Sequence, residues 1–177
     1  MIRIDKIPPR TEEGTVNVLV EVPKGGHTKF EYDEDLGVMR LSRVLHSAVY
    51  FPTDYGFVPG AVGEDGEHLD ALVLVDAPGY PGVMVETRVL GALKVEKGDV
   101  PVEHRLLCTP VAEPRFADYD DLGDIPRHTL AEIEHFFDIF KDLEAGHHAT
   151  LGWIPAGEAI ALLDRAIAAA AGSAGRS

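Results

Sequence analysis

The chain has 177 residues, 45% of them hydrophobic, which is enough for one sizeable core, and a single domain over residues 1–172 with a short disordered tail at 173–177 is expected. Its formal charge of −14 denies it the positive field that a nucleic-acid or anionic-membrane binder needs. No stretch approaches the roughly 18 apolar residues of a membrane helix, and the opening Met1-Ile2-Arg3-Ile4-Asp5-Lys6 lacks the apolar core of a signal peptide, so a cytoplasmic location is expected.

The first two-thirds reads as short strands cut by Gly, Pro and Asp turns. Residues 15–22 are β-branched and apolar-rich and stop at Pro23-Lys24-Gly25-Gly26. Over residues 27–32, period-two alternation puts Lys29 and Glu31 on one face and Phe30 and Tyr32 on the other. The strand pattern continues through 38–41 and 43–45, and residues 50–60 read as an aromatic loop punctuated by Pro and Gly. Then comes the loop 63–70, where Glu64, Asp65, Glu67 and Asp70 place four carboxylates within seven residues before the apolar run 71–75. Such a group repels itself unless it is compensated. A hard cation such as Mg²⁺, which shares oxygen ligands with water and substrate phosphates, suits it; a solvated acidic turn is the other reading.

Residues 83–95 read as a long strand, bent or bulged at Gly91, with 105–109 as its partner across a turn at Glu96-Lys97-Gly98-Asp99. Strands at this spacing suggest a small barrel. Cys108, the only cysteine, sits in an apolar context and reads as structural. After Pro126 the period changes: Leu130, Ile133, Phe136, Phe137, Phe140 and Leu143 recur at three- and four-residue intervals, which predicts an amphipathic helix. A second helix is predicted over about 156–171, with Ile160, Leu163 and Ile167 on one stripe and Gly172 ending it. The class is therefore mainly β with flanking helices (α+β). His135, His147 and His148 make a weak case for a transition-metal site, because no Cys or further His stands at ligand spacing from them.

Five segments in order then carry a resemblance: Val20-Glu21-Val22-Pro23-Lys24-Gly25, Lys29-Phe30-Glu31-Tyr32-Asp33, Pro52-Thr53-Asp54-Tyr55-Gly56-Phe57-Val58-Pro59-Gly60, Leu69-Asp70-Ala71-Leu72-Val73-Leu74, and His135-Phe136-Phe137-Asp138-Ile139-Phe140-Lys141-Asp142-Leu143-Glu144. Over roughly residues 15 to 165 the chain resembles the soluble family I inorganic pyrophosphatases. The resemblance implies a five-stranded OB-like barrel with two helices from the C-terminal region and a Mg²⁺-filled cavity at the barrel mouth, with Mn²⁺ as an alternative ion. It also implies hydrolysis of pyrophosphate to two phosphates and a homo-oligomer, commonly a hexamer in bacteria. Position by position, it implies that Lys29, Arg43, Lys141 and Arg105 bind phosphate oxygens. Tyr55 would be a hydroxyl donor at the pocket edge, although a packing residue with a satisfied hydroxyl is an equal reading of it. Glu21, Glu31, Asp65, Asp70 and Glu103 would hold metal directly or through water, with Asp70 bridging two ions.

The departures from the family pattern gather around the site. The acidic loop reads Asp65-Gly66-Glu67-His68-Leu69-Asp70, where the family usually has Asp-Gly-Asp-Pro, an apolar residue and Asp. The middle acid, which in the family accepts the proton of the attacking water, is here Glu67, about a bond length longer, and positioning errors on the order of 1 Å are costly to catalysis. Either Glu67 takes that role with adjusted geometry or the water is held differently. Lys97 aligns where the family places an acid, unless Glu96 or Asp99 fills that place by a shift of register. Phe51 and Phe140 stand where tyrosines are common. These changes leave two alternatives to pyrophosphate hydrolysis: action on an organic phosphate or diphosphate, and non-hydrolytic phosphate binding.

Overall fold

The alternation that predicts strands does build them, and in the computed structural model of the chain, which describes residues 2–98, 101–144 and 148–174, they close on themselves. The strands are β1 (Val16–Val22), β2 (Thr28–Asp33), β3 (Val38–Val44), β4 (Asp54–Val62), β5 (His68–Val73), β6 (Met84–Glu96), β7 (Glu103–Pro110) and β8 (Ala149–Pro155). Five of them form a barrel in the order β1-β4-β5-β7-β6, closed where β6 pairs back onto β1 from Val16↔Thr87 to Leu19↔Met84. Closure leaves these five without a free edge. Neighbours are antiparallel except β5 and β7, which run parallel with Asp70 opposite Arg105. Strand β8 adds to the outer side of β6, and β2 and β3 form a separate hairpin.

The long strand β6 bends at Gly91, as its sequence predicts. The register slips between Val89 and Gly91, and a Cβ there would stand 2.7 Å from the Ile154 carbonyl oxygen of β8. Only glycine lets the two backbones approach so closely.

Two helices cover the barrel. Helix α1 (Arg127–Ile139) buries Ile133, Phe136 and Phe137, and Phe140 caps it. Leu143 lies beyond the helix and is 69% exposed, so the predicted stripe ends at Phe140. Helix α2 (Ala156–Ala174) runs through Gly172 rather than ending there, and residues 175–177 of the expected tail lie outside the described residues. Two further expectations need correcting. The segment read as an aromatic loop is mostly strand β4, because the barrel wall overrides the turn tendency of its Gly and Pro. Strand β8, absent from the sequence reading, exists because β6 offers it a ladder.

Period-two alternation sorts the core into two clusters. Leu72, Leu74, Leu93, Val95 and Leu107 face one way and pack with the α1 phenylalanines. Ala71, Val73, Ala92, Leu106 and Cys108 face the other and pack with Ala159, Leu163 and Ala166 of α2. Burial pushes the Cys108 thiol up to about 12, which leaves it unreactive, as its structural reading expects.

Candidate active site

The α1-facing side of the wall is also what places the charges. Extending each strand along the same face, Leu74 and Leu72 lead to Asp70, Leu107 leads to Arg105 and Glu103, and Leu93 and Val95 lead to Lys97. Where the strands outrun their hydrophobic cover, this face opens into a cavity of about 450 Å³. The hairpin β2–β3 brings Lys29, Glu31, Glu34 and Arg43 to it, and the turn after α1 brings Lys141. Every predicted site residue lines this one space: Glu21, Lys29, Glu31, Arg43, Tyr55, Asp65, Glu67, Asp70, Glu103, Arg105 and Lys141.

The carboxylates fall into two groups. In the first, the protein already supplies a cation. Glu31 takes Lys29 Nζ at 2.7 Å, and although burial works against ionisation, Lys29, Ser42 and Arg43 together hold its pKa below the usual value. Glu103 is bonded to Lys97 on one oxygen and to Arg105 Nη2 at 3.1 Å on the other. In the second group, Glu21, Asp65 and Glu67 have no basic side chain at ion-pair distance among the described residues, and Asp70 has only Arg105 Nε at 3.5 Å. Burial pushes Glu21 up to about 7, despite the N–H of Tyr32 that its carboxylate accepts at 3.0 Å. Its neighbours Asp70 and Glu31 add to the rise.

The acidic loop is shaped by its own backbone. Gly63 N–H donates to the Glu67 carbonyl at 2.8 Å, Glu67 N–H donates to Asp65 Oδ1 at 3.1 Å, and Gly66 sits at φ +86°, where other residues are strained. His68 belongs to β5; its ring stacks on Phe57 with centroids 4.7 Å apart and its Nε2 meets Glu34 at 3.0 Å.

The cations rest on an aromatic floor. Arg105 lies over Phe137 at 4.8 Å, Lys141 over Phe140 at 5.5 Å, Lys29 over Tyr55 at 5.8 Å and Arg43 over Phe140 at 5.9 Å. Arg43 also holds Glu144 at 2.6 Å, a pairing the sequence reading missed because 101 residues separate the two. Lys141 has no carboxylate at ion-pair distance among the described residues. Burial first, then the charges of Arg43 and Lys97, bring its pKa down to about 8. Tyr55 lines the cavity and is itself almost fully buried. It packs on Phe51 at 5.4 Å, and its hydroxyl is kept protonated by burial and by Asp70, with which it shares a hydrogen bond.

The model of the inorganic pyrophosphatase family matches residues 18–171. A Nostoc inorganic pyrophosphatase is 38% identical over 167 residues, 94% of this chain and 98% of that one. A crystal structure of the Thermus thermophilus inorganic pyrophosphatase superposes with a TM-score of 0.90 at 36% identity, covering 94% of this chain and 98% of that one. The chain belongs to the inorganic pyrophosphatase family.

As a family member it still shows the departures read from its sequence. Phe51 and Phe140 are 3% and 4% exposed and pack together with Phe136, so neither offers a hydroxyl to the cavity. Glu96 is the last residue of β6, Lys97 follows it into the cavity, and Asp99 lies outside the described residues. Of the histidines, His135 is exposed on α1, His148 meets the Phe140 ring edge-on at 5.8 Å, and His147 lies outside the described residues.

Among the described residues no three His, Cys, Asp or Glu side chains already close around a common point. The residues nonetheless fit a hard cation: the donors are all carboxylate oxygens, and Glu21 is an acid whose pKa burial lifts to about 7, so a cation beside it would favour its charged form. Mg²⁺ keeps several waters and takes one or two carboxylates plus substrate oxygens, so it needs no closed protein cage.

Proposed function

We propose that this chain hydrolyses inorganic pyrophosphate to two phosphates in a Mg²⁺-dependent reaction, with Mn²⁺ as a substitute ion. The observation that carries the proposal is the division of one cavity into carboxylates that, among the described residues, have no basic side chain closer than 3.5 Å, Glu21, Asp65, Glu67 and Asp70, and cations on an aromatic floor, Lys29, Arg43 and Lys141. Divalent ions bound by the acids would neutralise the substrate and bring water toward hydroxide near neutral pH. The rest is the work of the side chains. Lys29 and Lys141 act as point charges on phosphate oxygens, and Arg43 offers a planar fork. Glu67, exposed at the rim, takes the proton of the attacking water. Arg105, with its side chain 4% exposed, is enclosed against the Phe137 ring and fixes Asp70 and Glu103 in place. Tyr55 keeps its proton and donates a hydrogen bond to Asp70, orienting that carboxylate.

The test is phosphate release from pyrophosphate with Mg²⁺ and then Mn²⁺, with Asp70→Asn purified in parallel. Release that vanishes in the variant supports the proposal, and a folded parent that releases none overturns it. One observation favours a second reading, an organic phosphate or diphosphate as substrate: Phe51 and Phe140 line the cavity with rings that carry no hydroxyl. The same assay run on organic diphosphates separates the two. A homo-oligomer, specifically a hexamer, and a cytoplasmic location belong to the proposal through family likeness. Among the described residues, no helix is long and apolar enough to cross a membrane.

A further inference from the structure

The Glu103 end of the cavity differs from the Asp70 end in what already sits on its carboxylate. Both Glu103 oxygens have protein cations on them, Lys97 on Oε1 and Arg105 on Oε2, and the Glu103 side chain is only 12% exposed. Arg105 is fully enclosed and cannot leave. Lys97 continues the face of Leu93 and Val95 at period two, which aims it inward from the end of β6 and leaves its side chain 30% exposed. It also stands close enough to Lys141 and His148 to depress the pKa of both, so its charge is felt on the phosphate side of the cavity.

A divalent ion arriving at Glu103 must compete for the lone pairs that Lys97 and Arg105 hold, and must then sit beside two positive charges. At Asp65, Glu67 and Glu21 it meets neither obstacle, and Asp70 carries only the longer Arg105 contact. We propose that Lys97 is a built-in counter-ion: its ammonium occupies the place at Glu103 that a divalent ion would take, so the loaded cavity holds fewer ions and Lys97 itself faces the bound diphosphate. This rests on the proposed diphosphate ligand but not on turnover.

The experiment counts ions. The full-length protein is titrated with Mn²⁺ in the presence of methylenediphosphonate, a diphosphate that cannot be hydrolysed, and free Mn²⁺ is read by electron paramagnetic resonance. Parent, Lys97→Gln and Lys97→Asp are compared, each checked for folding by circular dichroism; both substitutions sit at a part-exposed strand end. Each variant is expected to bind about one more Mn²⁺ per chain than the parent, because a carboxylate freed of its ammonium can take a hard cation. Adding Glu103→Gln to Lys97→Gln should abolish the gained ion. Equal counts in parent and both single variants overturn the proposal, as does a gained ion that survives Glu103→Gln. The outcome is separable from that of the hydrolysis reading: a parent inert toward pyrophosphate sinks that reading and leaves the ion count intact.

Discussion

The two faces of the barrel wall are built from alternate residues of the same strands, yet they do different work. Against α2 the wall is aliphatic and small, with Ala71, Ala92, Ala159 and Ala166 letting helix and sheet approach closely. Against α1 it is aromatic, with Phe51, Tyr55, Phe136, Phe137 and Phe140 in one cluster. All four cation–ring contacts found among the described residues lie on the aromatic side. The difference teaches that an aromatic core serves twice, as packing below and as a low-dielectric platform above, on which lysine and arginine hold their charge toward the cavity. The aliphatic face, among the described residues, carries none of these contacts.

That division can be broken by changes to either face. The largest effect is expected at Asp70, the acid shared by Arg105 and Tyr55. Asp70→Asn should lower kcat by on the order of 10³-fold, about 4 kcal/mol of barrier, while leaving the denaturant midpoint nearly unmoved. Phosphate-release kinetics and a urea titration on the same preparation check both halves. On the opposite face, Leu163→Ala removes a fully buried side chain and should cost about 3 kcal/mol of stability with kcat intact at a temperature where the variant is folded. A Leu163→Ala variant that kept its stability and lost its activity would dissolve the distinction between the faces.

The two faces were not equally legible in the sequence. The strand runs and the stripe of α1 were legible, because a packed strand is a short β-branched, apolar run and a packed helix obeys period 3.6, but which face of a barrel strand meets which helix was not, since a strand such as β1 is buried on both sides. The acids and cations of the cavity, with Tyr55, were found through motif position, and all eleven line one space. What escaped was the partnering among them. That Lys97 holds Glu103, that Arg43 holds Glu144 and that His68 meets Glu34 depends on which loop folds over which strand, and no local pattern records it. Strand β8 escaped for the same reason, since its pairing belongs to β6.

Glu21 sharpens the comparison as a charged group at the edge of the core. Its folded pKa, near 7, stands above the ordinary value of 4.5 because burial disfavours the carboxylate. The folded chain therefore holds the proton more tightly than the unfolded chain. Below pH 4.5 both are protonated and nothing is lost; stability then falls as pH rises to 7, and above that the full cost applies. By linkage this approaches about 3 kcal/mol. In chelator, Glu21→Gln should be more stable than the parent at pH 8 by up to that amount and indistinguishable from it near pH 4, as read from denaturant midpoints. A constant difference at both pH values would mean that packing, not ionisation, is what the substitution changes.

The smallest effect belongs to Lys141, where the aromatic floor and its crowded cations act on a single proton. Burial and the charges of Arg43 and Lys97 bring its pKa to about 8, so the ammonium that would meet a phosphate oxygen is present at pH 7 and mostly gone by pH 9. KM for pyrophosphate should then rise by about tenfold across that interval, because affinity falls with the charged fraction. Pyrophosphate and its Mg²⁺ complexes also change over the same range, which a comparison with Lys141→Arg removes: both proteins see the same substrate, but guanidinium keeps its charge throughout. The expected result is a KM profile that steepens above pH 8 in the parent and stays flatter in the variant. Parallel profiles would place the titrating charge elsewhere on the floor, and would mean that the aromatic face holds Lys141 protonated as firmly as water does.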